Sequence, residues 1–129
     1  MNIQTHKKID FDLCGTPIEQ REGFCSIALT TTEKMIVDDY KLIHGGFVFG
    51  LADHAAMLAV NDPNVVLGSA SVKFLKPVQL DESLVAQAHV MSVSGKKQTV
   101  EVKVLRHSDV VFEGNFECFT LKKHVLDKS

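Results

Sequence analysis

The chain has 129 residues, 45% of them hydrophobic and 23% charged, with a net charge of −2. That describes one soluble globular domain over residues 1–129, long enough to bury roughly two-thirds of its unfolded surface. The near-neutral balance argues against wholesale nucleic-acid binding, and no apolar run nears the ~18 residues of a membrane span.

In chain order, MNIQTHKKIDFD lacks the apolar stretch of a secretory signal. Cys14, Cys25 and Cys118 are odd in number, widely spaced and without C-x-x-C. They read as reduced thiols of a cytoplasmic protein packed as small hydrophobes, not as a disulfide framework or a zinc site. Gly15-Thr16-Pro17 and Gly23 punctuate the start. FCSIALTTT (24–32) then alternates as a strand. His44-Gly45-Gly46 breaks the chain before an apolar segment that Asn61-Asp62-Pro63 stops, which predicts a helix over 46–60. VVLGSASVKFL (65–75) alternates, with Val66, Gly68, Ala70, Val72 and Phe74 on one face. SLVAQAHVMSV (83–93), KQTVEVKVLRH (97–107) and VVFEGNFECFTLKK (110–123) follow as strands, with HSDV (107–110) as a hairpin turn. One strand, one helix and four strands on short loops favour an antiparallel meander. A single helix and a single sheet share a core only if the sheet curls around the helix, an α+β architecture.

The helix is apolar on every side except at Asp53 and His54, and an all-apolar helix belongs in a core. Asp53 lies two turns after Gly46 on the same face, beside Phe49, Gly50 and Met57. An unpaired carboxylate there costs several kcal/mol, so it pairs with a buried donor, lies on a helix face that meets solvent, or serves chemistry. Desolvation raises its pKa, which suits a general base or nucleophile near neutral pH. Gly45 and Gly46 leave the amides of the helix N-terminus open to a developing oxyanion. Asp53 and Gly46 are about 10 Å apart along the axis, so one carbonyl carbon cannot touch both. Two antiparallel copies of the helix about a twofold bring Asp53 of one chain to Gly46 of the other. His54 points about 100° away and reads as a hydrogen-bonded core histidine. His44, His54 and Asp53 lack H-x3-H spacing, so no metal is expected. Ser69 and Ser71 can be drawn into a His–Asp–Ser triad, but no G-x-S-x-G elbow accompanies them. With Phe49 they are assigned to the substrate groove.

HGGFVFGLAD (44–53), the order of elements, FLKPV (74–78) and the basic loop SGKKQ (94–98) together resemble the hotdog-fold acyl-CoA thioesterases, in particular the phenylacetate-pathway branch. The resemblance covers roughly residues 20–123. It implies a curved antiparallel sheet around one long central helix, and a homodimer that in some members pairs again. It also implies a shared site in which His44, Gly45, Gly46 and Asp53 act on an acyl-CoA, the coenzyme A thioester being substrate rather than resident cofactor. Six cations against Asp81, Glu82 and Glu101 leave residues 73–106 at +3, and coenzyme A carries phosphates. Lys76, Lys96 and Lys97 are expected at those phosphates; the other cations read equally well as solvated strand faces. Many members of the branch carry an asparagine about ten residues before H-G-G, and none occurs here between Phe24 and Val60. Hydrolysis by an acyl-CoA thioesterase is the first reading, and a non-catalytic acyl-CoA sensor that regulates a partner is the second. With no helix-turn-helix ahead of the domain, such a sensor is not expected to touch DNA itself. A hotdog dehydratase is third, since its branch needs a different His and acid arrangement.

Overall fold

The computed structural model describes residues 1–129. Its longest helix forms where sequence punctuation put it. His44 is extended at the N-cap, and Asn61 ends the helix in the left-handed region with its N–H on Met57 O at 2.8 Å. Between them the helix, Gly45–Val60, buries Val48, Leu51, Ala52, His54, Ala55, Ala56, Met57, Leu58 and Ala59. Four of those nine are alanines, so a sheet can approach closely and wrap around them.

The elements run α1 (Phe11–Cys14), β1 (Thr16–Arg21), β2 (Phe24–Thr30), a single 3-10 turn (Glu33–Met35), α2 (Gly45–Val60), β3 (Val65–Phe74), β4 (Ser83–Ser94), β5 (Lys97–Arg106) and β6 (Asp109–Thr120). All six strands form one antiparallel sheet in the order β1-β2-β4-β5-β6-β3. In β5, Val100, Val102 and Val104 alternate inward and are fully buried. Val100 faces Phe116, Val104 faces Phe112, and Val102 faces Ala88. The strand period of two thus builds one apolar wall against α2. This is the hotdog arrangement.

Three features depart from the sequence reading. Residues 16–21, of which Thr16 and Pro17 read as punctuation, form β1, an edge strand; edge strands are where proline is tolerated, and little of the strand is buried. The meander holds only for β4, β5 and β6. β3 pairs with β6, not β4, so residues 75–82 cross the end of the sheet. That crossover is tied down by Ile43 N–H to Val78 O (2.8 Å), Thr31 Oγ1 to Gln79 O (2.7 Å) and Arg106 Nη1 to Pro77 O (2.8 Å). Finally, a bulge between Leu67 and Ser69 reverses the parity of β3. Leu67 faces inward with Cys118, and beyond the bulge Ala70, Val72 and Phe74 share a face with Phe116, Gly114 and Phe112, while Val66 turns outward opposite Phe119. One extra residue moves every later side chain to the other face.

Candidate active site

Asp53 sits at the middle of α2 with Oδ1 buried and without a hydrogen-bond partner. Burial pushes its carboxyl up to about 6, because a charge moved out of water disfavours ionisation. Native proteins rarely leave a buried polar atom unpaired, and such groups concentrate where chemistry or a ligand uses them. Asp53 therefore does not pair with a buried donor in the protomer, and the residue as a whole is half-buried.

His54 behaves as a core histidine. It is 2% exposed, its Nδ1–H donates to Cys14 O at 3.0 Å, and Phe11 stacks over the ring with centroids 6.5 Å apart. Burial lowers its pKa, the Cys14 carbonyl and His6 being smaller influences of opposite sign. Its partner is a backbone carbonyl forty residues away, which no sequence spacing announces. No three His, Cys, Asp or Glu side chains cluster as a metal site requires.

At the other end of the helix face, Gly45 and Gly46 open the first turn. Their amides are among the first four of the helix and have no intrahelical acceptor. The exposed His44 ring lies over Gly46, close enough that a Cβ on Gly46 would stand 2.8 Å from Nε2. His44 makes no capping bond, and its ring meets Phe47 edge-on with centroids 6.0 Å apart. Phe74 covers Gly45, with Cε2 3.1 Å from where a Cβ would stand. Around this turn lies a cleft of about 360 Å³, lined by Leu42, Gly45, Val48, Phe74, Leu75, Lys76, Pro77 and Val111 among others. FLKPV supplies half of that wall, and the string was the one sequence signal for it. Phe49, half-buried four residues before Asp53, packs on Phe116 (5.5 Å) and Phe112 (6.4 Å). It forms an aromatic flank to the same helix strip.

Other sequence candidates lie elsewhere. Ser69 Oγ donates to Glu117 Oε2 at 2.8 Å, and Ser71 lines a polar depression of about 280 Å³ with Lys73, Glu101, Glu113 and Asn115. Both serines face away from α2, on the side of β3 opposite Ala70 and Val72. Lys76 pairs with Asp109 at 3.3 Å beside the helix N-terminus. Lys96 is exposed in the β4–β5 turn, and Lys97 stands 4.0 Å from Glu117. The turn lies beside Thr120, which bonds Lys96 O at 2.8 Å. Asp109 and Thr120 are the two ends of β6, so about 36 Å of strand at ~3.3 Å per residue separates the surroundings of Lys76 from those of the other two lysines. One protomer does not gather all three around one phosphate group.

Residues 40–113 match the thioesterase superfamily. A 116-residue stretch, 90% of this chain, is 48% identical to 25% of methylthioribose-1-phosphate isomerase from Aquifex aeolicus. Transcription factor FapR from Caldanaerobacter subterraneus subsp. tengcongensis is 31% identical over 97 residues, 75% of this chain and 48% of FapR. The chain thus spans between a quarter and half the length of these curated relatives. Among solved structures, an uncharacterized protein from Pyrococcus horikoshii is 53% identical and covers 98% of both chains at a TM-score of 0.97.

Proposed function

The chain belongs to the thioesterase superfamily, and from that premise we propose that it binds an acyl-CoA beside α2 and hydrolyses the thioester. The observation that carries the reading is the buried, partnerless Oδ1 of Asp53 on a helix whose first amides are open. The thioester carbonyl lodges at the amides of Gly45 and Gly46, which stabilise the developing oxyanion. Asp53, ionised above about pH 6, takes a proton from water as its oxygen attacks the carbonyl carbon. The C–S bond then breaks, and coenzyme A leaves as the thiol after taking up the proton.

A single helix holds these two parts about 10 Å apart, so the reading includes a homodimer. The two sheet edges support it. β1 is six residues long, bulged and interrupted by Pro17, the devices that protect an edge. β3 is longer, ten residues with one side unpaired, and its bulge at Leu67/Ser69 leaves six residues beyond it without a proline. Pairing β3 with its twofold copy sets two α2 helices side by side and antiparallel. The free thiols Cys14, Cys25 and Cys118 suit a reducing, cytoplasmic setting.

A second reading is an acyl-CoA-binding regulatory domain without turnover. The likeness to a transcription factor favours it, as does the absence of any asparagine between Phe24 and Val60. Titrating the protein with a panel of acyl-CoAs, by calorimetry and with a thiol dye, separates the two. Binding with thiol release from at least one member is the expected result. Binding without release establishes the regulator, and no binding to any member contradicts both.

The basic turn gives a further expectation. Lys96→Ala together with Lys97→Ala weakens coenzyme A binding and flattens its dependence on ionic strength, since exposed phosphate pairs are screened by salt. Isothermal titrations across a salt series check it; equal affinity and equal slope in the double variant place the nucleotide at another surface.

A further inference from the structure

The first half of α2 leaves one strip of its surface uncovered. Seen down the axis, Gly46, Phe49, Gly50 and Asp53 fall within about 100° and none of the four is fully buried, whereas Met57, one turn further on in the same arc, is. Gly50 is the residue in that strip whose lack of a side chain nothing within the protomer explains. A glycine inside a helix is less stable than an alanine there. Its φ is not in the left-handed region, so its backbone conformation does not call for glycine. Packing does not call for it either, because a Cβ at position 50 meets nothing within 4 Å. Gly68 and Gly114 differ: a Cβ there would collide at 2.3 Å with Phe119 and at 2.6 Å with Val72.

We propose that Gly50 sets the length of acyl group the site accepts. The residue lies one turn after Gly46 and three residues before Asp53, the two parts that this helix gives to the two shared sites, and Asp53 Oδ1 is buried without a partner. A thioester held by the Gly46 amide of one protomer and by Asp53 of the other lays its acyl chain along this strip, with the Phe49 ring as the apolar flank. The missing side chain at 50 is the room for that chain. This inference rests on the acyl-CoA reading, since it names the group that fills the strip.

The test measures dissociation constants for acetyl-, hexanoyl- and octanoyl-CoA with the wild type, Gly50→Ala and Gly50→Leu, together with the mass of each protein in solution. Gly50→Leu should bind acetyl-CoA within about twofold of the wild type and lose roughly tenfold or more for octanoyl-CoA, the expectation for excluding about two methylenes. Gly50→Ala should melt higher than the wild type and show a smaller loss confined to octanoyl-CoA. Equal losses at every length, no loss at any length, or a changed oligomeric mass in Gly50→Leu would overturn the proposal. The last outcome assigns the glycine to close approach of a second helix. If Gly50→Leu does not fold, the Gly50→Ala length profile decides alone. A wild type that binds no acyl-CoA refutes the acyl-CoA reading itself; a wild type that binds all three with variants of unchanged profile refutes only the role of Gly50.

Discussion

Asp53→Asn is expected to lower thiol release from acyl-CoA by about 10²- to 10⁴-fold while leaving acyl-CoA affinity largely intact, the range for removing a positioned general base. The amide keeps the shape of the side chain but cannot take a proton. In the wild type, kcat/KM should rise with pH through the Asp53 pKa of about 6 and then level. The same substitution should stabilise the fold. Burial raises the folded-state carboxyl from 3.8 to about 6, so protonated Asp53 favours folding and ionised Asp53 opposes it. The opposing contribution is absent below about pH 4, grows as pH rises through about 6, and is complete above that, amounting to no more than roughly 3 kcal/mol because the side chain is not fully enclosed. The variant should therefore melt above the wild type at about pH 8 and converge with it below about pH 4. Stopped-flow thiol detection and melting curves across pH read both effects. Unchanged turnover removes Asp53 from the chemistry, and an unchanged melting difference across pH contradicts its burial as a carboxylate.

Much of this arrangement is legible in the chain. Asp53 stands out because everything around it on α2 is apolar, and His54 reads as a core histidine because it points away from that acid. The inward valines of β5 and the turn at 107–110 follow from the period of two. Where the reading failed, the cause lies in relations between distant segments. The bulge at Gly68 leaves no mark in a pattern of alternating residues, yet it decides that Leu67, and not Val66, shares the inward face with Ala70, Val72 and Phe74. The pairing of β3 with β6 depends on the crossover through Pro77 and Gln79, whose anchors are Arg106 and Thr31. β1 was hidden because an edge strand with Pro17 buries too little to alternate. Lys76, Lys96 and Lys97 look like one basic cluster in sequence, and the length of β6 separates them.

The central claim is that each site takes Asp53 from one protomer and the first helical turn from the other, and mixing two inactive variants measures it directly. Asp53→Asn removes the acid. Gly46→Pro removes an N–H donor at a position where proline is tolerated, in the first turn and without a positive φ; the exposed His44 ring must swing aside to admit it. Each homodimer is expected to be nearly inactive, because every site lacks one part. In a mixed dimer one site carries both lesions, and the other joins an intact Asp53 to an intact helix N-terminus. Unfolding the two together at equal ratio and refolding should restore roughly a quarter of wild-type turnover, since half of the dimers are mixed and each holds one complete site of two. Differently tagged subunits show that exchange has occurred. A mixture that has demonstrably exchanged subunits and stays inactive would contradict the shared site and confine the chemistry to single chains.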